Sequence, residues 1–565
     1  MTSTYFFADY FRTLEMLAIF VAIVIFLSSI DDTVLDIYYW KRRLFRRYSA
    51  ERKYPRLTED QLRAKVEQPL AIMVPAWHEY DVIAPMLEAM IATLDYRNYR
   101  IFVGTYCNDE RTIAEVERMR RRYGRLERVE VPHAGPTCKA DCLNWIVQAI
   151  SKQQKTMATP YVGIILHDCE DVLHPLELKY FNYLLPRIDF IQLPVGSLER
   201  RWDEMVAGTY MDEFAESHAK DLIVRESLSG TVPSAGVGTC FSSRALEELS
   251  EENQNQPFNT RTLTEDYDIG VRLARRGMKQ IFGRFPVQYA RTTRGWLGLR
   301  KPRVQVIRDA LSVREYFPNT FRTAYRQKSR WILGISLQGW GLMGWKGGLI
   351  AKYFFYRDRK ALITSFIAIL GYFLLFNFLI FQAVDRVGLW SVYYPTLFAP
   401  GSWTVALLKL NFLFLGVRAL HRYYFVSRLY GTKHGLLSFP RMIVGNFVNA
   451  MAAARAWRLF VMNFIFGTSL VWDKTMHDFP SPELLRSQRQ RLGEVLLSWQ
   501  AVGEHELEQA LALQRQTKKL LGEILVENNW VADVVLQEAI SFQEQWTEAP
   551  ASKDVRNPAG ALATA

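Results

Sequence analysis

The sequence predicts an α/β domain built on a parallel sheet, with transmembrane helices on either side of it and a small all-helical domain behind them. Three observations predict this. Short apolar runs alternate with helical stretches between residues 65 and 300. Long runs nearly free of charge lie before and after that segment, and one motif repeats near the end of the chain. At 565 residues and 49% hydrophobic side chains, the chain has room for several domains. It is too apolar for disorder and not apolar enough for a polytopic transporter.

The first element is a membrane anchor over residues 1–48. Residues 14–30 are a dense apolar run broken only by Glu15, Ser28 and Ser29, and Lys41, Arg42, Arg43, Arg46 and Arg47 follow it. A secretory signal carries its positive charge before the apolar run, so this run is expected to span the membrane with its C-terminal side in the cytoplasm and residues 1–13 outside. The 34 Phe, 27 Tyr and 15 Trp fit a protein of the membrane interface. The net charge of +12 is carried beside apolar runs rather than on an identifiable groove-binding element, which points to a membrane surface and excludes nucleic acid.

The α/β domain is expected over residues 65–300. Leu70 to Val74 reads as a buried strand ending at Pro75, Val82 to Leu94 as a helix, and Arg100 to Thr105 as a second strand. Val129 to Val131 and Tyr161 to Leu166 are the third and fourth. Ligands of such sheets sit at the carboxyl ends of the strands. Polar residues gather there: His78-Glu79, Asn108-Asp109-Glu110 and His167-Asp168-Cys169-Glu170-Asp171. The five cysteines, Cys107, Cys138, Cys142, Cys169 and Cys240, all lie in this region without a paired metal-ligand spacing, so a reduced, cytosolic domain is expected.

Residues 301–358 turn basic and aromatic, as amphipathic helices on a membrane surface do. Residues 359–480 hold a second span, residues 361–384, and a third, residues 403–420, which Lys409 and Asn411 interrupt. The link between them is expected outside, and residues 421–441, with Arg422, Arg428, Lys433 and Arg441, inside. Residues 442–457 and the short run 459–472 are expected to be interfacial or re-entrant. In residues 485–546, Leu492-Gly493-Glu494-Val495-Leu496-Leu497 recurs as Leu521-Gly522-Glu523-Ile524-Leu525-Val526. Val502 matches Val531, Leu507 Leu536, Ala510 Ala539, and Gln514 Gln543. Such units stack to share a core. The Ala/Pro-rich stretch 547–565 is expected to be disordered.

The chemistry centres on Thr264-Glu265-Asp266. Glu265, Asp266 and Asp268 open an apolar-periodic helix, where acids suit the positive end of the dipole and Thr262 or Thr264 can cap. The same stretch can instead offer Asp266 to a cleft as a general base. Asp168, Glu170 and Asp171, after a buried strand, can share one Mg²⁺ or Mn²⁺ with substrate phosphates. A solvated acidic turn is the alternative. Asp109 suits a nucleoside-binding carboxylate or a plain turn. Lys139 and Asn144 open a helix. Gln327 and Trp331 share a helical face with Arg330 beside them, Trp to stack on a sugar and Arg to fork onto phosphate.

In this order, the strand-end acid, Lys139…Asn144, Asp168-x-Glu170, Thr264-Glu265-Asp266 and Gln327-x-x-Arg330-Trp331 before membrane runs resemble the family 2 glycosyltransferases of the cellulose and hyaluronan synthase type. The likeness extends over about residues 65–475. Gly236-Val237-Gly238 to Arg244 resembles the family's glycine-rich acceptor-side segment. Trp472 to His477 resembles a segment that follows the membrane region in related chains, most nearly those of the inner-membrane phage adsorption protein B group. The resemblance implies a GT-A fold, a nucleotide-diphosphate sugar donor, Mg or Mn, and inversion. It implies that Asp266, with Glu265, carries catalysis. Asp109, Glu79, Lys139, Asp168 and Arg330 would bind the donor. Gln327, Trp331, Gly236 and Gly238 would bind the acceptor, and Asp168 and Glu170 or Asp171 the metal. Two positions depart from the usual pattern: Asp168-Cys169-Glu170 stands for Asp-x-Asp, and Lys328 is the second motif residue.

The tail resembles the N-terminal domain of type II secretion ATPases, of the type that binds cyclic di-GMP. Arg491, Leu492, Gly493, Gln514 and Gly522 would then hold that ligand, although Gln500 and Asn529 replace an expected glycine. A purely structural docking module is the alternative.

The activity so implied is an inverting transferase of the bacterial inner membrane, multi-pass, with catalytic and C-terminal domains cytoplasmic. It would extend a polysaccharide for export through an outer-membrane or periplasmic partner, under cyclic di-GMP control. The rival readings are a catalytically inactive membrane scaffold and a lipid-linked sugar transferase.

Overall fold

The computed structural model describes residues 2–252, 254–293, 303–388, 396–468, 479–480, 492–498, 501–517 and 519–545. The chain opens with α1 (Thr2–Phe45) and then builds β1 (Leu70–Ala76), α2 (Ile83–Thr93), β2 (Tyr99–Tyr106), α3 (Glu110–Arg122), β3 (Leu126–Val131), α4 (Lys139–Gln154) and β4 (Gly163–Leu166). Next come α5 (Glu177–Leu184), β5 (Phe190–Gln192), β6 (Val195–Ser197), α6 (Met205–Glu216), α7 (Leu222–Ser229), β7 (Thr239–Ser242), α8 (Ser243–Glu252) and α9 (Glu265–Arg275). The expected strands are all present, and β1 runs on through Pro75 and Ala76.

The main sheet has seven strands in the order β3-β2-β1-β4-β7-β5-β8, where β8 is Gln280–Phe282. Every residue of β1 is buried, as befits a central strand covered on both faces. Side chains alternate between two cores. Ile72, Val74, Ile101 and Val103 pack with Met86, Leu87 and Met90 of α2. Ala71, Met73 and Phe102 pack with Leu143 and Ile146 of α4.

The sheet is mixed, not wholly parallel. β7 runs antiparallel to both β4 and β5, with Cys240 opposite Ile165 and Ile191. The reason lies in the entry point. Leu193 N–H donates to Gly238 O at 2.9 Å and Gln192 Nε2 to Val237 O at 2.8 Å, so the chain reaches β7 from the carboxyl end of β5 and must run back. Nothing in Thr239-Cys240-Phe241-Ser242 encodes that direction.

Beyond the sheet lie β9 (Pro286–Thr293), β10 (Arg303–Ala310), β11 (Val313–Glu315), α10 (Phe321–Trp331), α11 (Leu349–Arg386) and α12 (Trp403–Phe466). β11 pairs in parallel with β6. Among the described residues three helices are long and apolar enough to cross a membrane: Ala8–Lys53, Leu349–Arg386 and Trp403–Phe466. α1 and α11 meet through Leu14, Val21, Ile367 and Leu374.

The stretch 421–441, expected to be a link, is instead part of α12, which is helical except at Gly431 (φ 82°, ψ 170°). Its cations do not mark a loop. Two of them reach buried acids on α6: Arg422 pairs with Glu216 at 2.5 Å and Arg441 with Asp212 at 3.3 Å. Asn411, which interrupts the apolar run, donates to Ala22 O of α1 at 2.8 Å. Between α1, α6, α11 and α12 lies a polar cavity with about 2160 Å³ of empty space. The motif segment Trp472 to His477 lies outside the described residues.

The C-terminal helices are α13 (Leu492–Ser498), α14 (Glu504–Thr517), α15 (Leu521–Glu527) and α16 (Asp533–Gln545). α13 packs on α16 and α14 on α15. Both members of three repeat pairs are buried: Val502 and Val531, Leu507 and Leu536, Ala510 and Ala539. α13 also touches α2 of the α/β domain.

Candidate active site

A cleft with about 940 Å³ of empty space, part of it open to solvent, lies at the carboxyl ends of β1 and β4. Glu79, Lys139, Asp168, Glu170, Glu265, Asp266, Gln327, Arg330 and Trp331 all line it, although they span some 250 positions of sequence. The fold gathers them by simple means. Glu79 follows β1, Asp168 and Glu170 follow β4, Lys139 opens α4, the acidic pair opens α9, and the aromatic motif ends α10.

Lys139 bridges the site. Its Nζ lies 2.5 Å from Asp168 and donates to Gly236 O at 3.4 Å. Gly236 has φ +78°, and a Cβ there would stand 2.7 Å from Asp266 Oδ2, so only glycine lets this loop approach the carboxylate. Gly238 has φ +57°, and its close neighbour is Val313 rather than a cleft residue. Thr264 stands at the N-cap position of α9 without a capping side-chain bond, and Thr262 Oγ1 accepts from Thr264 N–H at 3.2 Å instead. Thr264 packs against Gly334, in a π-helical turn, Ile332–Gln338, directly after the aromatic motif. Gln338 Oε1 accepts from Leu263 N–H at 3.0 Å in the same place. π-Turns are frequent at functional sites, and this one holds α9 and α10 together.

Other expected residues stand elsewhere. Asp171 is turned inward, its Oδ2 2.8 Å from His167 Nδ1 and 3.1 Å from Asp168 N–H, so it is not among the cleft residues. His167 lies between it and Glu177, whose Oε1 is 2.8 Å from Nε2, and this buried triad takes Asp171 away from the expected metal position. Asp109 caps α3 and accepts from His78 N–H at 2.6 Å, behind Glu79 rather than beside it in the cleft. Asn144 clamps both backbone groups of Phe258 at 2.9 Å. Sequence reasoning missed Glu315, which ends β11 and lines the cleft. Its only sequence signal was an acid amid basic residues.

The family model for glycosyl transferase family group 2 matches residues 163–385. Bacteriophage adsorption protein B of Escherichia coli K12 is 43% identical over 506 residues, 89% of this chain and 67% of that protein. The chain is a family 2 glycosyltransferase of the phage adsorption protein B group. Bacteriophage N4 adsorption protein B of E. coli O157:H7 is similar to the same extent, 43% identical over 506 residues, 89% of this chain and 67% of that protein. Among solved structures, a Pyrobaculum calidifontis mannosyltransferase in complex with GDP-Man and Mn²⁺ is 14% identical with a TM-score of 0.44. It covers 80% of this chain and 100% of that chain. Staphylococcus aureus TarS with UDP-GlcNAc is 10% identical with a TM-score of 0.24, covering 36% of this chain and 54% of that one.

In the glycosyltransferase cleft, negative charge is in excess. Burial raises Glu265's pKa, the Asp266 charge raises it further, and Lys139 opposes both. Asp266 is raised too, by burial first, with Lys139 opposing and the negative charge of Asp168 adding to the rise. Glu265, 4% exposed, is set deeper than Asp266, which opens towards the cleft. Burial works against the charge on Lys139, but Asp168 and Glu265 outweigh it and keep the ammonium charged. Glu315 is raised by burial and by Glu170, Asp171 and Asp168.

Asp168 and Glu170 suit a divalent cation. Among the described residues no three His, Cys, Asp or Glu side chains converge as a closed cage. A hard cation held by one or two carboxylates and substrate phosphates needs no such cage, and the crowding of like charge around Glu315 is what a cation would relieve.

In the tail, a Cβ on Gly493 would meet Leu507 at 2.9 Å and one on Gly522 would meet Leu536 at 3.0 Å, so both glycines serve the close approach of helices. Gln514 Nε2 donates to Lys519 O at 3.4 Å. Leu492 is half-buried against the repeat core, and Arg491 lies outside the described residues.

Proposed function

We propose that the chain transfers a sugar, with inversion, from a nucleotide-diphosphate donor to a growing polysaccharide at the bacterial inner membrane. The observation that carries this reading is the single cleft in which Asp266, a Lys139–Asp168 pair and Gln327, Arg330 and Trp331 meet. Asp266 takes the proton of the acceptor hydroxyl, which attacks the anomeric carbon from the face opposite the departing diphosphate. Lys139 and Arg330 meet the negative charge that develops on the diphosphate. Held by Asp168, Glu170 and the diphosphate, a Mg or Mn ion would supply Lewis acidity to that same charge. Trp331 stacks on the acceptor sugar, and Gln327 Oε1, buried with no hydrogen-bond partner among the described residues, accepts from an acceptor hydroxyl. Glu79 and Asp109 support the donor's nucleoside side, and the Gly236 loop lies along the acceptor.

The catalytic and C-terminal domains lie in the cytoplasm in this reading, the three long helices cross the membrane, and the product passes to a periplasmic or outer-membrane export partner. The C-terminal repeat binds cyclic di-GMP at its two glycine-opened helix starts, around Arg491, Leu492, Gly493, Gln514 and Gly522, and sets the rate of transfer. Its contact with α2 gives that signal a route to the loop before that helix, which carries Glu79.

The deciding experiment measures nucleotide release by the protein in detergent, over a panel of UDP- and GDP-sugars with Mn²⁺ or Mg²⁺, with and without cyclic di-GMP. Release from one donor that vanishes in Asp266→Asn supports the transferase and names the sugar. Stimulation or inhibition by cyclic di-GMP supports the tail's role. Release unaffected by Asp266→Asn would sink the assignment of the base.

A further inference from the structure

Lys328, the second residue of the Gln-x-x-Arg-Trp motif, does not face the cleft. It is 4% exposed, and its Nζ donates to both carboxylate oxygens of Glu213 at 2.6 Å and to Asn449 Oδ1 at 3.0 Å. It also lies 4.9 Å above the Tyr210 ring. Glu213 and Tyr210 belong to α6, and Asn449 to the part of α12 beyond Gly431. A helix turns about 100° per residue, so Gln327 and Arg330 lie about 60° apart on one side of α10, Lys328 about 100° round from Gln327 in the other direction, and Trp331 between Gln327 and Lys328. Fixing Lys328 therefore fixes the rotation of α10 about its own axis.

We infer that Lys328 and Glu213 are positioning residues, a strut that aims Gln327 and Trp331 at the acceptor side of the cleft and Arg330 at the charge that develops on the diphosphate. This rests on the roles given to those three residues above. The same helix braces the aromatic end of the motif: Trp331 meets Tyr210 edge-on at 6.1 Å and Phe214 at 6.3 Å. Gln327 Oε1 has no hydrogen-bond partner among the described residues, so its aim depends on the helix that carries it. The strut reaches further. Arg422 lies in the electrostatic surroundings of Glu213 and pairs with Glu216 at 2.5 Å; Glu216 pairs with Lys220 at 2.8 Å, and Lys220 with Asp36 of α1 at 2.6 Å. Charges thus connect the acceptor motif with α1 and α12, two of the helices able to cross a membrane.

The test compares wild type, Lys328→Arg, and the double variant Lys328→Met/Glu213→Gln, which removes the strut without leaving a buried charge alone. Two readouts are taken on the full chain in detergent. The first is hydrogen exchange across residues 321–331, beside a thermal melt. The second is the ratio of sugar transferred to donor merely hydrolysed, using UDP-glucose, UDP-GlcNAc and GDP-mannose as probes. In the double variant, exchange across α10 rises on the order of 10-fold while melting stays close to wild type. Transfer falls relative to hydrolysis by about 10-fold to 100-fold with KM for the donor unchanged, the scale of effect that misplaced groups have. Lys328→Arg restores the ratio. Unchanged exchange across α10 overturns the inference whatever the donor. So does an unchanged transfer ratio, or a donor KM that worsens in parallel. If wild type consumes no donor, the transferase reading fails, and the exchange measurement still decides the strut.

Discussion

Two cavities in this molecule are rich in charge, and they differ in how the charge is matched. The cleft at the strand ends is lined by six carboxylates, Glu79, Asp168, Glu170, Glu265, Asp266 and Glu315, and by two cations, Lys139 and Arg330. The cavity among the long helices is lined by six acids, Asp32, Asp36, Asp212, Glu213, Glu216 and Asp221, and by six cations, Lys220, Arg357, Lys360, Arg418, Arg422 and Arg441. A site left with surplus charge is suited to a ligand of opposite charge and to proton transfer. A site that balances itself holds helices in place, because breaking one of its pairs strands a charge in a poorly solvated space. Balance, rather than the amount of charge, separates the chemistry from the scaffold.

The comparison can be broken most directly in the cleft. Replacing Lys139 by Met removes the cation beside Asp168 and lowers nucleotide release by on the order of 10³-fold, with little change in melting temperature. Steady-state release and a thermal melt check both halves. In the second cavity the expected effects exchange places. Arg441→Met leaves Asp212 buried without its partner, costs about 3 kcal/mol in folding stability, and leaves kcat of the folded fraction near wild type. Denaturation in detergent, scored against activity per folded molecule, reads this.

A milder change sharpens the boundary of the cleft. Gly236→Ala pushes a methyl group towards Asp266 and strains a backbone at φ +78°, and activity falls by roughly 10-fold with the donor KM preserved. The smallest effect concerns pH. Asp212 is pushed up to about 7, by burial first, with Arg441 and Arg422 opposing. An acid whose folded pKa is raised holds its proton in the native state after the unfolded chain has lost it. Its contribution is therefore present below about pH 4 and lost as pH rises towards 7. Wild type melts a few degrees lower at pH 7 than at pH 5, and Asp212→Asn flattens that slope.

The sequence made the cleft legible because its residues sit at strand ends and helix starts, places that apolar runs and their breaks mark out. Glu265, Asp266, Gln327, Arg330 and Trp331 were readable in this way. Glu315 was not, since it enters the cleft only because β11 pairs with β6, a register that no local pattern encodes. Asp171 was misread because its partner His167, held on its other side by Glu177, draws it inward, and that burial is a tertiary fact. Arg422 and Arg441 looked like a cytoplasmic link for the same reason. Their counter-charges lie more than 200 residues earlier, on α6.

The C-terminal repeat has a consequence for the way the chain is made. α13 packs on α16 and α14 on α15, while Gly493 against Leu507 and Gly522 against Leu536 join the helices within each half. As the chain leaves the ribosome, α13 waits for its contacts with α16, last of the four, until that helix has followed it. The four helices thus form one cooperative unit in which half a domain is not half as stable. A cut between Thr517 and Leu521 parts α13 and α14 from α16 and α15, the helices they pack on.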